Sequence, residues 1–428
     1  MQWARTCGFG VILLCFLGCT ALPKPNLPPS LPSLFKSEPA PEPPPIRTSE
    51  FQKITGHQPL ACSAPEFYDD GPKIRQKMLD LIESANDYIL IDSFLATYDE
   101  DSKAVFAALK RKHDAGVRVY LLTDTCSRYI AKDITVFDWL DKAGIPNAEY
   151  NPQRIHKWLV APVLLKRDHR KFWIVDGKTL LLGGANLTST SLRDPSNGGN
   201  LDYMLSIQSG GAAEKMVSSF ITTWNKCGAG KLKKKDFFID HDHQTNTVTF
   251  LTDQNRDKWG CDKVSRMFKG LYAQAEKEVW LVQPYTFTTP VMLSQFRELR
   301  DRGVSVNIML PGDVHSNRFH YASYYGIKDL VEAGVSVWAL KPGHGHLHAK
   351  MIVIDDHWVS IGSTNLNTRS HQFSSEANLT FADHTSLKKA KQSLDELKKR
   401  CRRISPEEAK KYRGSSYLTV WLWMQLMG

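Results

Sequence analysis

Two stretches of the chain carry the same chemistry-bearing residues at the same spacing. His169, Lys171 and Asp176 are followed by Gly183, Gly184 and Asn186; His348, Lys350 and Asp355 are followed by Gly362, Ser363 and Asn365. Every matched position is offset by 179, including Leu187 with Leu366 and Ser191 with Ser370. Side chains on a strand alternate with period two, so His-x-Lys places an imidazole and an ammonium on one face. Asn186 and Asn365 add an amide donor to each set. The small residues Gly183, Gly184, Gly362 and Ser363 end a second short strand and are expected to let backbone approach a ligand closely. One copy is half of a phosphate cradle. Two copies facing each other put two imidazoles across one phosphorus. One neutral histidine can then attack phosphorus while the other, protonated, gives its proton to the leaving oxygen. Lys171, Lys350, Asn186 and Asn365 would hold the charge on the non-bridging oxygens. This chemistry calls for no metal and no cofactor.

A carboxylate should orient each imidazole through its other ring nitrogen. Glu376, 28 residues after His348, and Asp202, 33 residues after His169, are the candidates. The five-residue difference matches the Gly-rich insertion Pro195-Ser196-Asn197-Gly198-Gly199. Asp176 and Asp355 lie one apolar strand away from the histidines and read as structural buttresses.

The elements that must position these groups also repeat. Residues 88–124 and 279–313 each read as strand, loop, helix, turn and strand, and both helices end in Asp-x-Gly-Val-x-Val, a glycine stop before a β-branched strand. Leu-x-x-Ala-Gly recurs at 140–144 and 330–334. Alternating strands and amphipathic helices predict an α/β fold of two repeats, residues 51–230 and 246–403. A basic linker, 231–245, joins them, and a basic and apolar tail, 404–428, follows.

The chain has 428 residues, 42% hydrophobic and 23% charged, which excludes a disordered or polytopic protein. Its net charge of +10 suits an anionic partner: nucleic acid, phospholipid head groups or a phosphate ester. Eight cysteines in this length exclude a small disulfide scaffold, and no disulfide is assigned. Residues 1–22 have a basic start and a short apolar run, which suits a signal peptide better than a spanning helix. Phe16-Leu17-Gly18-Cys19 resembles a bacterial lipobox, which would make Cys19 a lipid anchor. Residues 23–50 hold ten of the 22 prolines and read as an extended tether.

The paired H-x-K-x4-D-x6-G-[GS]-x-N pattern resembles the phospholipase D superfamily, and its spacing is similar to that of cardiolipin synthases and related bacterial phosphatidyltransferases. The resemblance covers roughly residues 62–400. It implies two pseudo-twofold related α-β-α sandwich repeats with the site at their interface. It also implies a phosphohistidine intermediate on the first motif, with His169 as nucleophile and His348 as general acid. The substrate would be a membrane phospholipid, the intermediate would be resolved either by water, giving hydrolysis, or by an alcohol, giving phosphatidyl transfer, and the setting would be a bacterial cell envelope. A monomer would suffice, because both half-sites lie in one chain. A nuclease acting on DNA or RNA is the alternative, since its diester presents the same phosphorus. A catalytically silent binding protein is the third reading.

Four further features invite a role. His344, His346 and His348 alternate as zinc ligands can, but read better as a loop entering the catalytic strand. Asp240 to His243 reads as exposed linker. The Trp-bearing stretch 155–166 reads either as packing or as a lip entering the membrane interface. Residues 417–424 read as a surface anchor or as an element docked on the body.

Overall fold

The computed structural model describes residues 48–131, 133–152, 166–241, 247–257, 262–312, 318–355, 357–382 and 384–427. The signal-like segment with Cys19, the proline-rich stretch up to residue 47, Cys261 and residues 155–165 lie outside them. The described residues fall in one compact unit.

Two mixed sheets form the frame. The first has seven strands in the order Glu66–Tyr68, Met204–Gln208, Thr179–Gly183, Lys171–Val175, Tyr88–Ser93, Arg118–Asp124 and Asn147–Tyr150. The second has nine: Pro59–Cys62, Thr247–Gln254, Glu376–Phe381, Trp358–Gly362, Met351–Ile354, Glu278–Val282, Ser305–Leu310, Ser336–Leu340 and Cys401–Arg403. The order around the two motif strands, Lys171–Val175 and Met351–Ile354, is the same in both. Each runs antiparallel to the following short strand and to the strand that opens the repeated strand–helix–strand unit of its half, Tyr88–Ser93 or Glu278–Val282.

The alternation of apolar residues explains this layering. Ile89, Ile91 and Trp173 turn to helices Gly71–Ser84, Lys103–Asp114 and Val136–Ala143 on the outer face. Tyr88, Leu90, Phe172 and Ile174 turn the other way, into a core shared with Met351, Val353 and Leu379 of the second sheet. Helices Gly210–Cys227 and His384–Arg400 also pack into that shared core. Burial of each large apolar side chain there stabilises the fold by ~1.5–3 kcal/mol. The four glycines that end the repeated helices, Gly116, Gly144, Gly303 and Gly334, all have positive φ. That left-handed conformation stops each helix before the next strand.

Several boundaries differ from the sequence reading. A helix begins at Thr48, inside the expected tether; its Phe51 is buried against Phe250 and Trp358. Strand Pro59–Cys62 pairs with Thr247–Gln254 of the second sheet although it lies within the expected first repeat. The linker is not wholly solvated. Phe237 is buried edge-on against Tyr88, and the Tyr88 hydroxyl donates to the Phe238 carbonyl. The second repeat ends in an edge strand at Cys401–Arg403, and the last helix of the tail, Ser415–Met427, stacks Tyr417 on Tyr321 of helix Arg318–Tyr325. Among the described residues no helix is long and apolar enough to cross a membrane.

Candidate active site

The repeated histidines lie just ahead of their strands rather than on them, and each is clamped to the opposite half. The His169 N–H donates to the Ser375 carbonyl at 3.0 Å, and the His348 N–H to the Leu201 carbonyl at 2.9 Å. Residues His346-Leu347 pair in parallel with Asn200-Leu201, and Asp168 bridges Ser375 in the same sense. The carboxylates that orient the imidazoles therefore cross over. Glu376 holds His169 Nδ1 through both oxygens at 3.1 Å, and Asp202 holds His348 Nδ1 at 2.5 Å. Counting each acid from its own motif would pair them within a half; the backbone clamps place each acid beside the other half's ring instead.

Both rings line one cavity of about 210 Å³, together with Asn186 and Asn365. Aromatic walls come from Phe94, Tyr285 and Phe319, and further polar walls from Arg167, His320, His346 and Arg369. Phe94 meets the His169 ring edge-on at 4.8 Å. A larger cavity, about 460 Å³, lies by Leu201, Lys73 and Arg400, but it contains none of the repeated residues. Site chemistry belongs to the smaller one.

Lys171 and Lys350 are buried beneath the rings, 1% exposed, and each donates from Nζ to the carbonyl of its own histidine. Lys350 Nζ also lies 2.9 Å from Nδ1 and 3.1 Å from Nε2 of His348. Asn186 Oδ1 accepts the Leu95 N–H, and Asn365 Nδ2 donates to the Tyr285 hydroxyl at 2.8 Å. Ser191 and Ser370 fix the two asparagines alike, each accepting the asparagine N–H on its hydroxyl.

Burial and mutual charge set the protonation states. His169 and His348 are both lowered to about 4, first by burial and then by the ammonium groups, against the pull of their carboxylates. Lys171 falls to about 7 through burial and its neighbour Lys350; Lys350 falls to about 8 through burial. Burial alone would raise the two acids. Lys350 and His348 outweigh it at Asp202, and His169 at Glu376, so both stay below the usual carboxylate range. The site thus favours two neutral imidazoles, each tied to an ionised acid.

Of the small residues, Gly184 and Ser363 accommodate these acids, and Gly183 and Gly362 admit neighbouring backbone. A Cβ on Gly184 would come 2.1 Å from Asp202 Oδ1. Cβ atoms on Gly183 and Gly362 would strike the backbone of the neighbouring strands at Tyr203 and Ala377. Ser363 donates its hydroxyl to Glu376 Oε2 at 2.5 Å. Asp176 and Asp355 lie outside the cavity, both at φ +50°. Asp176 accepts the N–H groups of Asn86, Asp87 and Tyr88, and Asp355 those of Glu276, Lys277 and Glu278. Each closes the turn into the first strand of its half.

Two groups escaped the sequence reading. Arg167 and Arg369 line the cavity. Behind His169, the fully buried Arg170 binds Asp168 at 2.6 and 2.8 Å, Asp92 at 3.1 Å and Asp253 at 3.4 Å. Their signal lay in the mismatches of the repeat: the second half has Leu347 and Ala349 where the first has Asp168 and Arg170. Of the remaining features, His346 stacks on His320 at 4.5 Å. Among the described residues no group of three or more His, Cys, Asp or Glu side chains is arranged to hold a metal ion.

Known proteins resemble this chain in sequence and in fold. A family profile described as "Cardiolipin synthase, PLD-like domain" matches residues 78–224 and 269–398, most of the chain. A cardiolipin synthase of Clostridium perfringens is 28% identical over 353 residues, covering 81% of this chain and 72% of that protein. The major cardiolipin synthase of Bacillus subtilis is 28% identical over 365 residues, covering 83% and 72%. The crystal structure of phosphatidylserine synthase from Haemophilus influenzae has the same fold, with a TM-score of 0.69 at 14% identity over 89% of this chain and 99% of that one. Two repeated half-sites on this fold, with the profile matched in both, make the chain a member of the cardiolipin synthase family of phospholipase D-like proteins, and an enzyme of the phospholipase D superfamily.

Proposed function

We propose that the protein transfers the phosphatidyl group of a phospholipid to an alcohol through a phosphohistidine intermediate. In the first step His169 Nε2 bonds to phosphorus, the bond from phosphorus to the head-group oxygen breaks, and His348 gives its proton to that oxygen. In the second step the acceptor hydroxyl loses its proton to His348, its oxygen bonds to phosphorus, and the bond to His169 breaks. Each imidazole alternates between two states, which its carboxylate at Nδ1 supports.

The single observation that carries this reading is that both rings line one cavity with their Nδ1 atoms held by ionised acids. His169 suits the nucleophilic role because, among the described residues, no ammonium lies at hydrogen-bond distance from its ring, whereas Lys350 Nζ lies 3.1 Å from Nε2 of His348 and competes for the lone pair that attack would need. The general acid must be protonated, and burial and the two ammonium groups oppose this. A phosphodiester anion bound there offsets the ammonium charges, so substrate binding itself raises the His348 pKa. Lys171 and Lys350 support the rings and balance the anion.

The relatives named above are synthases of phospholipids, which favours a lipid diester over a nucleic acid. A lipid anchor at Cys19, a place in the bacterial envelope and a monomeric working form belong to the same proposal; the first two rest on sequence alone. Incubation with labelled phosphatidylglycerol tests it. Label should pass to cardiolipin or to another phosphatidyl alcohol, and His169→Ala should stop this. Cleavage of single-stranded DNA without turnover of any phospholipid would overturn it.

A further inference from the structure

The parallel strands of both halves point their C-terminal ends at the site. Strand Tyr88–Ser93 leads into Phe94 and Leu95, and Glu278–Val282 into Pro284 and Tyr285, all of which line the cavity. Segments that follow these strand ends therefore begin on the cavity side. Helix Cys126–Ile130 follows parallel strand Arg118–Asp124, and Asp124 accepts the N–H of Asp168, next to His169. Helix Pro290–Asp301 opens just beyond Tyr285, and helix Arg318–Tyr325 lines the cavity with Phe319 and His320. Exposed large apolar side chains gather at this end: Tyr129, Ile130, Val291, and Leu418 and Leu422 of the last helix. Phe238 and Val248, also exposed, lie at the far end. The Phe238 carbonyl accepts from Tyr88, at the opposite end of its strand from Phe94. Val248 is likewise at the opposite end of its strand from Gln254, which pairs with Glu376.

The last helix, Ser415–Met427, has 13 residues and no Asp, Glu, Lys or Arg among them. A helix without a charged face calls for apolar surroundings beyond one neighbour. Protein covers one side only. Tyr417 stacks on Tyr321, and Trp421 packs on Tyr325 at 5.1 Å. Trp421 also packs against the same Phe287 and Ala322 cluster as Tyr285 and Phe319, two walls of the cavity. Leu418 and Leu422, one residue further round, stay exposed. At ~1.5 Å per residue the helix reaches about 20 Å, less than the ~30 Å hydrocarbon core of a bilayer. It can lie in a membrane surface but not cross it. Exposed Lys410 and Lys411 precede it, and Arg413 stacks on Tyr325 at 4.2 Å. That charge matches anionic head groups. An isologous contact between two copies would instead bring the same lysines towards each other.

We infer that Leu418 and Leu422, with Tyr129, Ile130 and Val291, enter the surface of an anionic bilayer and turn the cavity towards it. The inference takes its lipid substrate from the proposed function and adds how the lipid arrives; the contact itself can be measured without turnover. A cavity of about 210 Å³ takes a polar head group, and two acyl chains stay outside it. Chains that remain in the bilayer during the reaction are never exposed to water, which requires the site to sit at head-group level. Apolar residues set around the site hold it there, and the last helix joins them to its aromatic wall.

Photo-cross-linking and the physical form of the substrate test this. The full chain is bound to vesicles of phosphatidylglycerol and phosphatidylethanolamine whose acyl chains carry a diazirine. Cross-links should map to the peptide holding Leu418 and Leu422 and to that of Tyr129 or Val291. Phe238 should take none, although it is as exposed as Val291, at 68% each. The double variant Leu418→Asp, Leu422→Asp should lower turnover of vesicle phosphatidylglycerol, relative to monomeric dihexanoyl phosphatidylglycerol, by about tenfold. Phe238→Asp should leave that ratio unchanged. The ratio compares two substrates of one protein preparation, so partial misfolding cancels. Cross-links absent from residues 415–427, or an unchanged ratio in an active double variant, would overturn the inference and leave the proposed function standing. Dimerisation in solution that the double variant abolishes would give this face to a second copy and overturn it too. Cross-links at the last helix without turnover of either substrate would support the inference and remove the proposed function.

Discussion

The two halves agree to the residue around the reacting atoms and disagree directly behind them. Under His169 lies an ionic cluster: Arg170 among Asp168, Asp92 and Asp253, closed by the hydroxyls of Ser219 and Thr223. Under His348 the same places hold Ala349, Leu347 and Val282, all buried and apolar. The register confirms the match, since Asp92 pairs with Phe172 and Val282 with Met351. The carboxylates differ too. The first half pairs the shorter Asp202 with Gly184, which has no Cβ to obstruct it; the second pairs Glu376 with the Ser363 hydroxyl. The two imidazoles need an acid at Nδ1 and an ammonium beneath. How the strand behind them is packed is open to more than one solution, one charged and one apolar.

The largest expected effect breaks the equivalence of the two acids. Glu376→Gln and Asp202→Asn should each lower kcat by on the order of 10²–10⁴, because the imidazolium loses its ionised partner and its tautomer is no longer set. Steady-state kinetics on phosphatidylglycerol checks this; a loss confined to KM would mean that the acids only bind substrate. Next comes the ionic cluster. Arg170→Met leaves buried carboxylates without their cation and should cost ~3–5 kcal/mol in stability. The triple change Asp92→Val, Asp168→Leu, Arg170→Ala copies the apolar solution and should recover most of that loss in denaturant unfolding. Failure of the triple variant to exceed Arg170→Met would show that the halves are not interchangeable there.

Gly184→Ala and Ser363→Ala sharpen the comparison further. The first forces Asp202 away from His348 and should lower kcat by more than tenfold, while the second removes one hydrogen bond, a loss of ~0.5–1.5 kcal/mol. A larger effect from Ser363→Ala would reverse the assignment. The smallest effect is in pH. Burial holds both imidazoles down to about 4, and under the proposed mechanism a bound anion raises His348. Loss of the protonated form with rising pH should therefore set in at lower pH in kcat/KM, which reports the free enzyme, than in kcat, which reports the complex. Coincident limbs would mean that the substrate charge does not reach His348.

What was legible in the sequence follows from this contrast. Residues kept in both copies announce themselves by the repeat, and so His169, Lys171, Asn186 and their counterparts could be picked out and turn up at one cavity. The crossed pairing of Glu376 with His169 could not be read, because it arises from how the halves dock and not from spacing within either. Arg167, Arg369 and Arg170 were passed over for the converse reason: they stand where the copies differ. Gly184 was assigned to a ligand because a glycine beside a phosphate site has two physical uses, and only packing distinguishes close approach of backbone from room for a carboxylate.

The proposed mechanism requires two imidazoles sharing one phosphorus, with the covalent bond on the first. Acid quenching of the enzyme during turnover of phosphatidylglycerol, followed by peptide mass spectrometry, measures this directly. The result expected is a phosphatidyl adduct on His169 that accumulates in His348→Ala when the donor carries a good leaving group. An adduct on His348 alone, or turnover that persists in His169→Ala, would contradict it.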